Sequence, residues 1–204
     1  MMIGVIDYGM GNVRSVLNAL ESLSRPARLM SDPGELREAS GIILPGVGAF
    51  GDGMRNLRER GLVEPLEREV LREKKPFLGI CLGLQLLATL GLEHGRHEGL
   101  NWVKGVVDRL SVPEGLRIPH IGWNDVRVQR KDGLYRGIGE AGVFYFVHSY
   151  ALRPEDPGIV SGTTDYGTPF VASIERDNLT GTQFHPEKSH KTGLQVLANW
   201  CGSC

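Results

Sequence analysis

Across residues 1–92, short apolar runs alternate with stretches whose apolar residues recur every three or four positions. Residues 3–6 form an unbroken apolar run, as in a strand buried on both faces. A glycine-bearing turn follows, and Asn12 can cap a helix presenting Val13, Val16, Leu17 and Leu20 along one side. The same alternation predicts strands near 27–30, over 41–44 and over 76–80, with a helix opening at Pro65 before the last of these. Directly after Cys81, the spacing of Leu84, Leu86, Leu87 and Leu90 predicts another helix. Strand–helix repetition of this kind builds a parallel sheet covered by helices.

Beyond residue 100 the texture changes. Strands are predicted over 105–110, 126–129, 143–150, 169–174 and 179–184. Glu175-Arg176-Asp177-Asn178 reads as the hairpin turn between the last two, and 191–200 as a closing helix with Leu194, Leu197 and Ala198 inward. With no repeat, linker or low-complexity tract, the expectation is one mixed α/β domain over 1–204.

Composition removes several function classes. Acids and bases nearly cancel, 24 against 23, so no basic footprint for nucleic acid or an anionic membrane is present. Apolar runs fall short of the ~20 residues that cross a bilayer, and the first residues carry no basic targeting region. A cytoplasmic protein is expected. Cys81, Cys201 and Cys204 are too few and too unevenly placed for a disulfide framework. The CxxC spacing of Cys201 and Cys204 could mean redox chemistry or half a zinc site, but it lacks a second ligand pair and reads as a tail. Glycine is abundant, 28 of 204, and much of it stands at the ends of apolar runs, where tight turns belong.

Three of those run ends carry candidate chemistry. In Gly79-Ile80-Cys81-Leu82-Gly83-Leu84-Gln85 an apolar run stops at Cys81 and a helix begins at once. That is the pattern of a nucleophile elbow, with small neighbours tolerating a strained turn and helix N–H groups favouring a thiolate. The plain alternative is a buried structural cysteine beside helix-packing glycines. In His185-Pro186-Glu187 an extended chain would turn residues i and i+2 the same way, letting the carboxylate fix the imidazole tautomer. The alternative there is a helix start with proline at its first position. His148 is a competing base without a carboxylate two residues on. Pro45-Gly46-Val47-Gly48-Ala49-Phe50-Gly51 contains GxGxxG, yet Glu67 and Glu69, at the distance of the acid a dinucleotide site needs, fall in a predicted helix. An oxyanion loop of glycine-freed N–H groups is the competing reading.

Taken together, Pro45-Gly46-Val47-Gly48, Gly79-x-Cys81-x-Gly83-x-Gln85 and His185-Pro186-Glu187 resemble the three motifs of the triad-type (class I) glutamine amidotransferases, in that family's order. Asp7–Asn12, 45–54, Ile121-Gly122-Trp123-Asn124 and Phe146-Val147-His148-Ser149-Tyr150 look like the branch that serves a cyclase in histidine biosynthesis. The resemblance implies a flavodoxin-like open mixed sheet with helices on both faces and a strand-rich C-terminal half. It implies Cys81 as nucleophile, His185 as base and Glu187 as its orienting partner, with oxyanion donors from Val47, Gly48 and Leu82. Gly48, Gln85, Ser149 and Tyr150 would hold glutamine. Glu93 would receive its α-ammonium group, although Thr89-Leu90-Gly91-Leu92 departs from the acidic, serine-bearing run expected there. No cofactor or metal is implied. The implied partner is a (β/α)8-barrel cyclase, in a heterodimer, that takes up ammonia and makes imidazole glycerol phosphate and an aminoimidazole carboxamide ribotide. Asn12, Trp123 and Lys188 would lie near that interface. The length leaves room for a glutaminase alone, so acceptor chemistry is expected on another polypeptide. A glutaminase for a different synthase, such as that for anthranilate or a nucleotide, and a non-catalytic binding subunit of the same fold are the competing readings.

Overall fold

The protein is described here by a computed structural model covering residues 2–204. Its strands are β1 (Ile3–Ile6), β2 (Ala27–Met30), β3 (Gly41–Gly46), β4 (Phe77–Cys81), β5 (Ala88–Gly91), β6 (His97–Glu98), β7 (Val103–Arg109), β8 (His120–Val128), β9 (Ala141–His148), β10 (Tyr150–Pro154), β11 (Val160–Asp165), β12 (Pro169–Arg176) and β13 (Leu179–Thr182). The helices are α1 (Val13–Ser22), α2 (Phe50–Glu59), α3 (Val63–Glu67), α4 (Leu82–Gln85) and α5 (His190–Cys201).

Nine strands make one sheet in the order β2-β1-β3-β4-β13-β12-β11-β8-β9, and β10-β7-β5-β6 make a second. The first five neighbours run parallel. This is the doubly wound order 2-1-3-4-5, its fifth strand recruited from near the end of the chain. From β13 outward every pairing is antiparallel. The mixed sheet expected from the sequence is therefore present.

Both faces of the parallel half are covered, which is why its central strands β1, β3 and β4 are apolar and buried throughout. Val16, Leu20, Val196, Leu197 and Trp200 of α1 and α5 pack with Val5, Ile43, Leu78 and Ile80 on one side. Phe50, Met54, Leu57 and Leu66 of α2 and α3 pack with Ile6, Ile42, Leu44 and Phe77 on the other. Ile42, Ile43 and Leu44 thus alternate between faces, as period two requires.

Several boundaries differ from the pattern. The helix after Cys81 ends at Gln85, and 88–91 is strand β5, paired with β7. The leucine-rich run buries Leu84, Leu86 and Leu87 completely, so spacing alone did not separate helix from strand. The 143–150 run breaks at Ser149, where the chain leaves the large sheet as β9 and joins the small one as β10. β8 begins at His120, earlier than its apolar stretch, because its outward positions are polar or exposed. Pro65 sits in the middle of α3, which widens into a π turn over Arg68–Arg72.

Candidate active site

β3, β4 and β13 end on the same edge of the sheet: Gly46 pairs with Cys81, and Ile80 with Thr182. Ligand crevices in open α/β sheets form outside such carboxyl ends. Cys81 turns from β4 into α4 with φ 53° and ψ −106°. A non-glycine residue held there costs about 1–3 kcal/mol. Burial of Phe77, Leu78 and Ile80, all fully covered, offsets that strain, since each such side chain contributes roughly 1.5–3 kcal/mol. The flanking glycines are sterically required: a methyl on Gly79 would come 2.6 Å from the Gly83 carbonyl oxygen, and one on Gly83 would run into that of Leu44. The Cys81 thiol is 5% exposed. Its Sγ donates towards the Val147 carbonyl at 3.8 Å and accepts from Gln183 Nε2 at 3.6 Å.

Parallel pairing of β4 with β13 carries His185 to the elbow. Its backbone N–H donates to Tyr145 O at 2.9 Å. Pro186–Lys188 then forms a short 3₁₀ turn with His185 at its cap. The expected extended i, i+2 geometry is thus corrected: the two side chains meet across a turn, and the helix-start and His–Glu readings both hold. His185 Nδ1 bonds Glu187 Oε1 at 2.8 Å, with both side chains 2% exposed. The carboxylate accepts, so Nδ1 carries the proton and Nε2 is left for the thiol. Nε2 is buried and has no partner in full hydrogen-bond geometry. The Cys81 sulfur nevertheless lies near enough to interact with it. Burial alone would lower the His185 pKa; Cys81 and Glu187 outweigh it and push the imidazole up to about 10.

A cavity of about 430 Å³ opens beside Cys81, bordered by Val47, Gly48, Leu82, Gln85, Glu93, Ser149 and Tyr150. The structure thus gathers at one cavity every residue expected to hold glutamine or its oxyanion. Val47 is 40% exposed and Gly48 has φ 111°, a conformation suited to glycine. Glu93 Oε2 accepts the Phe50 N–H at 2.8 Å, which fixes the carboxylate at the first turn of α2. Gln85 is a strut: its buried Nε2 donates to Tyr150 O at 2.9 Å and to Gln183 Oε1 at 3.1 Å. A larger cavity, about 500 Å³, lies between the two sheets, lined by Leu110, Leu152 and Phe170 among others, and holds none of these residues.

Sequence reasoning missed Gln183 and the wall formed by Pro119 and Val147. Gln183 lies two residues before His185, a spacing that could have drawn attention to it. His148, the competing base, has both ring nitrogens engaged, by Tyr150 O at 2.9 Å and by His120 at 3.0 Å. Burial foremost drives its pKa down to about 3. The dinucleotide reading fails at its acid: Glu69 is buried against Lys75 and Arg68 at 2.7 and 2.8 Å, in the π turn that precedes β4 and not at the carboxyl end of a strand. Cys201 is buried within α5 rather than in a loose tail, and burial pushes the Cys201 and Cys204 thiols up to about 11 and about 12. Trp123 is 47% exposed and stacks on His190 at 4.8 Å. Lys188 and His190 share a surface cavity with Ser15 and Asn18 of α1, the helix that Asn12 caps. Among the described residues no helix is long and apolar enough to cross a membrane, and no three His, Cys, Asp or Glu cluster as metal ligands.

Comparison with known proteins identifies the family. Residues 4–202 match the glutamine amidotransferase class-I family. The imidazole glycerol phosphate synthase subunit HisH of Moorella thermoacetica is 52% identical over 198 residues, 97% of this chain and 93% of that protein. Its namesake in Aquifex aeolicus is 51% identical over 197 residues, 96% and 94% of the two chains. Among solved structures, PurLQS from Thermotoga maritima superposes with a TM-score of 0.78 at 21% identity, covering 98% of this chain and 97% of that one, a likeness of fold. With a family match across nearly its whole length and relatives at half identity, the chain belongs to the class I glutamine amidotransferases.

Proposed function

We propose that this chain is the glutaminase subunit of an imidazole glycerol phosphate synthase, acting over 1–204 as one catalytic domain. The observation that carries the reading is a strained Cys81 at the start of α4, lining the cavity, with a buried His185–Glu187 pair whose imidazole interacts with its sulfur. The Cys81 thiolate attacks the side-chain amide carbon of glutamine, and N–H groups of Leu82 and the Val47–Gly48 segment hold the resulting oxyanion. His185, held protonated, gives its Nε2 proton to the departing ammonia. It then takes one from water, whose oxygen attacks the glutamyl thioester and releases glutamate. Gly48, Gln85, Ser149 and Tyr150 position the substrate, and Glu93 receives its α-ammonium group.

Ammonia is a nucleophile only while unprotonated, so its consumer must be docked alongside. The relatives' name as synthase subunits supports a cyclase partner. We take that partner to be a (β/α)8 barrel bound as a heterodimer in the cytoplasm. The exposed apolar residues Ile121 and Trp123 support docking on that face, with Asn12 and Lys188 beside it. Glutamate release should be measured for the free chain, for the chain with cyclase, and for the pair with its nucleotide ligand. The expected result is a rise at the last step of roughly 10²–10³-fold, the worth of one oxyanion donor, with Gly46 and Gly48 as the flexible element. Equal rates in all three would reject partner-gated glutaminase activity. Full activity with another synthase and none with this cyclase would reassign the partner.

A further inference from the structure

Four side chains form an unbroken line of hydrogen bonds through the Tyr150 carbonyl, and it reaches the cavity at His148 and Gln85. Asn124 Nδ2 lies 3.3 Å from His120 Nε2, His120 Nδ1 lies 3.0 Å from His148 Nε2, and His148 Nδ1 lies 2.9 Å from the Tyr150 carbonyl. The same carbonyl accepts Gln85 Nε2 at 2.9 Å. His120 and His148 face each other across the β8–β9 ladder, both buried, with His120 stacked on Tyr166 at 4.1 Å and on Phe146 at 5.0 Å.

The direction of every bond in this line is fixed, and from both ends independently. Asn124 Oδ1 accepts the Asp125 N–H at 2.8 Å and its Nδ2 donates to Asp165 O at 2.9 Å, so the amide cannot be turned over. Nδ2 therefore donates to His120 Nε2, which leaves the proton of His120 on Nδ1. At the other end a carbonyl can only accept, so His148 carries its proton on Nδ1 and offers Nε2 as acceptor. The two constraints agree at the middle bond: His120 Nδ1–H donates to His148 Nε2. A second proton on His148 would set two N–H groups against each other there. One on His120 would fall at Nε2, against the Asn124 NH₂. Burial, which holds His120 near 4 and His148 near 3, works in the same direction.

We propose that Asn124, His120 and His148 form a one-way, uncharged relay whose task is to fix Tyr150 and Gln85 in the glutamine pocket. The three are positioning residues acting through that carbonyl and that amide. The inference rests on the reading of the cavity as the glutamine site. Of the two ring tautomers, free histidine favours the Nε2 proton, so a pair of Nδ1–H rings is a signature that mere core packing does not demand.

The test is ¹⁵N–¹H correlation spectroscopy of the full chain labelled in its histidines, with glutamine kinetics of the cyclase complex. At pH 7 both His120 and His148 should appear as neutral Nδ1–H tautomers. His120→Phe, which keeps the ring stack but removes the donor, should raise KM for glutamine about fivefold, the worth of one hydrogen bond, and change kcat much less. His120→Asn, whose amide N–H replaces the Nδ1–H, should restore most of the loss. An Nε2–H or doubly protonated ring in the unmutated chain, or His120→Phe kinetics matching wild type, would overturn the relay. Labelling of Cys81 by a glutamine-like electrophile keeps the two readings apart: its failure in the wild type removes the glutamine site itself, whereas its persistence with the wrong tautomers removes only the relay.

Discussion

His185 and His148 are both buried, at 2% and 6% exposure, yet one is pushed up to about 10 and the other down to about 3. Burial acts on both in the same direction, against the charged ring. What separates them is the chemistry at each nitrogen. His185 has a carboxylate on Nδ1 and the nucleophilic sulfur near Nε2. His148 has a neutral carbonyl on Nδ1 and an N–H donor on Nε2. In the proposed reading one ring carries a proton and hands it on, while the other stays neutral and holds a wall in place. The charge state of each ring is therefore set by its partners, with depth of burial a poor guide.

The sharpest way to break that contrast is to remove each partner. In a serine hydrolase, deleting the base costs roughly 10⁶-fold and deleting the orienting carboxylate roughly 10⁴-fold. The expected order here is the same: His185→Ala should nearly abolish kcat in the cyclase complex, and Glu187→Gln should cost less. Equal and negligible losses would return His-Pro-Glu to a plain helix start.

A smaller effect should be visible in stability. A histidine raised above its unfolded value of 6.5 gives stability that is complete below pH 6.5 and lost as the pH rises through about 10. One depressed to about 3 does the opposite: its contribution is complete above 6.5 and lost as the pH falls towards 3. Melting curves should therefore show the deficit of Glu187→Gln largest near pH 6.5 and shrinking towards pH 10. The deficit of His148→Asn should shrink towards acid pH instead. Deficits that move together with pH would show that the two rings are not held in opposite charge states.

The parallel half and the separate motifs around Cys81 and His185 were legible in the sequence because each is written locally. β1, β3 and β4 are apolar runs ending in glycine turns, and Cys81 and His185 each sit within a few residues of the groups that shape them. β5, β10 and β11 went unread because their pairing is decided by distant chain: β5 lies against β7, and β11 between β12 and β8. The His120–His148 line was hidden for the same reason. Its members are 28 residues apart, and only the β8–β9 register makes them neighbours. His148 could be noticed as a histidine at a strand end, but nothing local told that both of its nitrogens are engaged.

The central claim is that Cys81, made reactive by His185 on a strained turn, is the nucleophile for glutamine. Incubation of the cyclase complex with a diazo-ketone analogue of glutamine, followed by peptide mapping, tests it directly. The account predicts one label per chain, on Cys81, blocked by glutamine and greatly slowed in His185→Ala. Cys201 and Cys204, whose thiols are pushed up to about 11 and about 12, should stay unmodified. Labelling at either of those two, or labelling of Cys81 that ignores both glutamine and His185, would contradict it.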